Sequence, residues 1–218
     1  MTLYDMLLNK YGYSNPFSFE EIKFNNYSLP WIKKELNKLV NSNFIVRYER
    51  GIYYIPEKTI FGNSSLNPQK IIEKKYLSNN SGYYSGLSFA NKIGITTQMP
   101  NVIEIYTNNE KSRVREITIN NLKVILRKSR VNITNDNIYV LSFLELMNSF
   151  SIDYFNAERK ELIINYIKEK GINRKEITKY SPFFPDKVMR NLVESEIIYD
   201  IVKNNLPDKK NEIDKILK

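Results

Sequence analysis

The chain has 218 residues, 42% of them hydrophobic and 26% charged, the balance of a globular protein long enough for one compact domain and a smaller second one. It contains no cysteine and no histidine. Disulfides, thiolate nucleophiles, the common zinc sites and imidazole-based hydrolytic triads are therefore excluded, and a protein without enzymatic activity, metal or cofactor is expected.

The formal charge is +9, and it is unevenly spread. Residues 1–58 hold eight Lys/Arg against six Asp/Glu, residues 59–148 eleven against six, and residues 149–218 fourteen against twelve. Between positions 111 and 130, Lys111, Arg113, Arg115, Lys123, Arg127, Lys128 and Arg130 are opposed only by Glu116. Such a local field attracts a polyanion, although a solvated basic face or an acidic protein partner accounts for the same charge. No stretch approaches the roughly 20 apolar residues of a membrane span. The opening Met1-Thr2-Leu3-Tyr4-Asp5 lacks the basic and apolar regions of a secretory signal, so a soluble cytoplasmic protein with no membrane partner is expected.

In chain order, Leu3, Met6, Leu7 and Tyr11 fall at i, i+3, i+4 and i+8, which predicts a first helix over residues 3–11 stopped by Gly12. After a loop over 13–17, Ser18 is placed to cap a short second helix with Phe19, Ile22 and Phe24 inward and Glu20 and Glu21 at its positive end. Ser28 before Leu29 and Pro30 starts a third helix, because Pro has no N–H to leave unpaired in a first turn. Ile32, Leu36, Leu39 and Val40 form its apolar stripe, and Lys33, Lys34, Asn37, Lys38 and Asn41 a basic, amide-rich opposite face. Trp31, in the first turn, is expected to pack. From Phe44 the period becomes two: residues 44–48 and 52–55 read as a hairpin joined through Glu49-Arg50-Gly51.

Three short helices followed by a hairpin with a basic tip is the order of a winged helix-turn-helix. On that reading Lys33, Lys34, Asn37 and Lys38 face the major groove of double-stranded DNA, with Arg47, Arg50 and Lys58 of the wing on phosphates or in the minor groove. A merely solvated helix face and ordinary hairpin polarity are the alternatives.

Gly62, Ser64, Ser65, Asn67 and Pro68 mark a linker, and residues 68–76 begin another helix. A helix over 88–93, a strand over 102–107 and a hairpin of 116–119 with 122–127 across Asn120-Asn121 then make an α+β lobe. Helical spacing returns over 138–150, through Leu141, Leu144 and Phe150, and over 157–170, through Leu162, Ile163, Tyr166 and Ile167. Pro182 and Pro185 break the last third, where 187–198 reads as one further helix and 208–218 as a charged terminal one. The predicted fold class is α+β: a winged helix-turn-helix over 1–60, an α+β domain over 66–150, and a helical extension over 151–218 packed on the second domain.

No glycine-rich phosphate loop is present, and the sixteen tyrosines are spread along the chain rather than gathered on a stacking platform. The run Arg50-Gly51-Ile52-Tyr53-Tyr54-Ile55-Pro56, then Phe61-Gly62, then residues 85–100 (SGLSFANKIGITTQMP) resembles the AbiEi family of type IV antitoxins over about residues 1–150. The resemblance implies an N-terminal winged helix that binds inverted repeats in its own promoter. It also implies a larger C-terminal region that opposes a nucleotidyltransferase-like toxin, as in phage defence, without a stable complex. It carries the DNA-binding face onto Lys33, Lys34, Asn37, Lys38, Arg47 and Arg50, and makes Arg113, Arg115, Lys123, Arg127, Lys128 and Arg130 candidate further phosphate contacts. A protein-interaction antitoxin, a solitary winged-helix regulator and a carboxylate-based nuclease or transferase are the competing functions; for the last, no cluster of acids is found.

Overall fold

The structure, a computed structural model, describes residues 1–25 and 27–204. The chain is mixed α+β and divides into two units, Met1–Lys75 and Tyr76–Lys218. The terminal helix expected over 208–218 lies outside the described residues.

The first unit opens on α1, Leu3–Tyr11. Thr2 caps it, its hydroxyl accepting from the Asp5 N–H while the Asp5 carboxylate accepts from the Thr2 N–H at 2.9 Å. Leu3, Met6 and Leu7 are buried, as their spacing requires. The segment expected to be a loop supplies β1, Phe17–Ser18, and the expected second helix is a single 3₁₀ turn, Phe19–Glu21. Three residues are too few for an α-helix, and fully buried Phe17 holds the chain extended by stacking on Tyr11 at 4.6 Å. The third predicted helix is α2, Leu29–Asn41, capped by Ser28 with Pro30 in its first turn. Trp31 stacks on Tyr27 with ring centres 4.2 Å apart.

Strands β2, Val46–Glu49, and β3, Ile52–Tyr54, form the expected hairpin. Gly51 sits in its turn at φ +85°, a left-handed conformation that glycine adopts without strain. The sheet is antiparallel, in the order β1-β3-β2, with a bulge between Arg47 and Glu49. It closes over Leu7, Phe17, Ile22, Ile32, Leu36, Ile45 and Ile55.

Residues 64–67 of the expected linker carry no helix or strand, but ordered structure flanks them on both sides. Strands β4, Lys58–Thr59, and β5, Gly62–Asn63, pair as a miniature hairpin whose tip residues Ile60 and Phe61 are 94% and 93% exposed. Then α3, Pro68–Ile72, buries Ile71 and Ile72. Lys70 donates to the Ser14 carbonyl, Lys74 pairs with Glu21, and Lys75 pairs with Glu49 at 2.8 Å. These bonds keep residues past the expected boundary within the first unit.

In the second unit, β6, Gly82–Ser85, is a strand that the sequence reading missed, because both its faces are buried and no alternation marks it. It leads into α4, Gly86–Lys92. Strands β7, Val102–Thr107, β8, Val114–Ile119, and β9, Leu122–Lys128, complete a sheet of order β6-β7-β9-β8, in which β7 and β9 are parallel and the other pairs antiparallel. Asn120 and Asn121 take positive φ, as a two-residue hairpin turn demands.

Helix α5, Ile138–Ser149, is not the one-sided helix that Leu141, Leu144 and Phe150 suggested: Val140, Leu141, Phe143, Leu144, Leu146 and Met147 are all buried. It packs against β6, α4 and two later helices, so it needs no polar face, and Phe150 lies beyond its end, stacked on Tyr154. Helix α6, Ala157–Lys170, buries Ile163, Tyr166 and Ile167 and leaves Leu162 exposed. After α7, Arg174–Tyr180, the single helix expected over 187–198 is two, α8, Asp186–Glu194, and α9, Ile197–Asn204, broken at Glu196 with φ +61°. Asn191 of α8 donates to the Met147 and Phe150 carbonyls at 2.7 and 3.0 Å, tying this region to α5.

Candidate nucleic-acid interface

Helix α2 is built from two unlike faces. Ile32 and Leu36 are buried on one side of the axis, and Lys33, Lys34, Asn37, Lys38 and Asn41 are exposed on the other. Lys38 pairs with Glu35 at 2.6 Å, whereas Lys33 and Lys34 have no ion-pair partner among the described residues. Their charges are therefore uncompensated, and Asn37 between them offers an amide able to donate and accept together. Lys10, the nearest basic residue in α1, is spent on the Glu21 carbonyl at 3.0 Å.

In the β2–β3 hairpin, Arg47 and Arg50 are exposed and form no ion pair among the described residues. The bulge after Arg47 inserts Tyr48 as an extra residue, and Tyr53 and Tyr54 are both buried, Tyr53 stacked on Phe17 at 6.2 Å. Lys58 belongs to β4 rather than to this hairpin, and its ammonium lies 5.3 Å from the centre of the Phe44 ring. Within α2 and the β2–β3 hairpin, Lys33, Lys34, Arg47 and Arg50 are thus exposed and form no ion pair among the described residues.

No known family model and no curated sequence matches the chain. The candidate interface therefore stands on its own geometry.

The six basic residues singled out in the second unit separate into two kinds. Arg115 is fixed by Glu110 at 2.7 Å, Arg127 by Glu104 at 3.2 Å and Arg130 by Glu145 at 3.4 Å. Glu110 is buried, which pushes its carboxyl up, yet the Ser112 N–H, the Arg115 guanidinium and the Lys111 N–H outweigh that penalty and hold it below the ordinary carboxylate range. Glu145 is also buried and accepts from Tyr106 at 3.1 Å and from Asn148 at 2.7 Å. Burial pushes the Tyr106 hydroxyl up to about 12, with the Glu145 charge adding to the effect. By contrast Arg113, Lys123 and Lys128 have no ion pair among the described residues, and neither does Lys111, which the sequence reading counted but did not select. Lys111 and Arg113 are neighbours in sequence, but only the pairing of β8 with β9 brings Lys128 beside them, and no local signal reports it.

Among the described residues no three His, Cys, Asp or Glu side chains lie close enough together to hold a metal ion, and no helix is long and apolar enough to cross a membrane.

Proposed function

We propose that this chain is a DNA-binding antitoxin of the type IV kind, whose first unit is a winged helix-turn-helix that reads inverted repeats in its own promoter and represses the operon. The carrying observation is the outward face of α2. Lys33, Lys34 and Asn37 stand exposed on a helix anchored by Ile32 and Leu36, followed by a hairpin whose Arg47 and Arg50 are uncompensated. The sequence α1, β1, 3₁₀ turn, α2, β2, β3 with strand order β1-β3-β2 supports this reading. Lysine reads guanine or phosphate, asparagine pairs with adenine, and the arginines hold the backbone. The protein acts in the cytoplasm without catalysing a reaction. Opposition to a nucleotidyltransferase-like toxin follows from the resemblance carried by residues 50–56 and 85–100.

The test is binding of the purified protein to its own upstream DNA against a scrambled duplex, with a Lys33→Ala/Lys34→Ala/Lys38→Ala variant alongside. Preference for the native sequence, lost in the variant, is expected. Equal binding of both duplexes, unchanged in the variant, overturns the operator role. A second reading, a protein partner seated on the first unit, is favoured by the exposed Ile60 and Phe61. It predicts binding that barely responds to salt.

A further inference from the structure

At the end of β9 the second unit holds a cavity of about 440 Å³ whose eight lining residues include five cations, Lys111, Arg113, Arg127, Lys128 and Arg130, and no acid. The register of the sheet assembles them. Arg127 stands opposite Tyr106 of β7 on one side and Val114 of β8 on the other. Beyond it the Lys128 N–H donates to the Arg113 carbonyl and the Ser129 N–H to the Thr107 carbonyl, each at 3.3 Å, so both neighbouring strands converge on the rim.

The charges are of two sorts. Arg127 and Arg130 are held in place from outside the cavity by Glu104 and Glu145. Lys111, Arg113 and Lys128 form no ion pair among the described residues, which leaves three uncompensated cationic residues on the lining of one concavity. Like charges gathered in this way repel one another, and the same field concentrates anions. One phosphate monoester brings only about −1.5 to −2 charges, so balancing three cations takes two adjacent phosphates. The volume falls within the roughly 300–1,000 Å³ of small-molecule sites.

We propose that this cavity binds a small ligand carrying a chain of two or more phosphates, the chemistry shared by nucleoside polyphosphates and inorganic pyrophosphate. Arg113, with a free planar fork, grips one phosphate through paired hydrogen bonds, and Lys111 and Lys128 neutralise the next as mobile point charges. All lining residues belong to the second unit, so the site stands or falls independently of duplex binding by the first.

Isothermal titration of the full chain at about 150 mM salt, where exposed charges are largely screened beyond about 8 Å, provides the test, with ATP, pyrophosphate and orthophosphate as separate probes. Pyrophosphate is expected to bind one-to-one and at least tenfold more tightly than orthophosphate. ATP binding as tightly as pyrophosphate means that the phosphate chain alone is read; ATP binding more tightly means that the nucleoside is read as well. Arg113→Gln/Lys128→Gln should weaken either probe at least tenfold, and Lys175→Ala, on the exposed surface of α7, should not. Circular dichroism confirms folding of each variant, and Lys111→Gln alone serves if the double variant does not fold, with a loss of at least threefold expected. Orthophosphate binding as tightly as pyrophosphate, no binding of either phosphate chain at millimolar concentration, or affinity unchanged in the glutamine variants overturns the proposal. So does displacement of bound pyrophosphate by a short duplex in the Lys33→Ala/Lys34→Ala background.

Discussion

Lys33, Lys34, Arg47 and Arg50 are the exposed cations of α2 and the β2–β3 hairpin that no carboxylate holds, and their number fixes how duplex binding should respond to salt. Lys38 is left out because Glu35 holds it at 2.6 Å, and Lys58 because it lies over the Phe44 ring. Each phosphate neutralised contributes about −0.9 to the slope of log affinity against log salt, so four give about −3.6, and raising salt from about 50 to about 200 mM weakens binding about 150-fold. Lys33→Ala/Lys34→Ala removes two of the four; the slope falls to about −1.8 and the same change in salt costs only about 12-fold. Both alanines replace exposed side chains on a helix that keeps Ile32 and Leu36 buried, so the fold should be unaffected. Fluorescence anisotropy with a labelled upstream duplex, titrated at five salt concentrations, measures both slopes. An unchanged slope in the variant would remove α2 from the interface, and a slope near zero in the parent chain would refute phosphate binding by this unit altogether.

The second unit offers three further tests. A Cβ added at Gly82 would lie 2.2 Å from the Tyr76 carbonyl oxygen and 2.8 Å from that of Tyr106. Both are backbone atoms unable to swing aside, so Gly82→Ala should destabilise the unit by about 2 kcal/mol or more, seen as a lower melting temperature; an unchanged one contradicts the close packing of β6. Arg130 keeps 34% of its side chain exposed while Glu145 keeps 2%. Arg130→Met should therefore cost about 2–3 kcal/mol in urea unfolding by stranding a buried carboxylate, whereas Arg130→Met/Glu145→Gln, whose neutral amide oxygen can still accept from Tyr106 and Asn148, should recover most of it. Additive losses would show that the two groups are not coupled.

The third concerns pH. Glu110 is held below its ordinary value in the folded chain, so the stability it contributes is complete above the unfolded value near 4 and disappears as pH falls through the folded one. At pH 7 the parent should exceed Glu110→Gln in urea midpoint, and the gap should close below about pH 4. A constant gap from pH 7 to pH 3 would mean that the carboxylate charge is not what stabilises this loop.

Local chemistry determined a good part of this protein. The apolar spacing of Leu3, Met6 and Leu7, the Ser28-Leu29-Pro30 start, the Glu49-Arg50-Gly51 turn and the Asn120-Asn121 turn each act through neighbours a few residues away, and α1, α2 and the β2–β3 and β8–β9 hairpins follow from them. The exposed face of α2 was legible for the same reason, since helical period alone separates Lys33, Lys34 and Asn37 from Ile32 and Leu36.

Tertiary structure decided the rest. The two residues of β1 are strand only because β3 lies beside them, and Gly82–Ser85 shows no alternation because it is covered on both faces. Helix α5 lost its expected stripe because neighbours pack around it. The same holds for charge. Composition put seven cations between positions 111 and 130, but pairing across the fold assigned Arg115, Arg127 and Arg130 to Glu110, Glu104 and Glu145 and left Lys111, Arg113 and Lys128 around one cavity. Sequence sets how much charge a segment carries; which charges are neutralised depends on strand register and burial, and those are fixed only when distant segments meet.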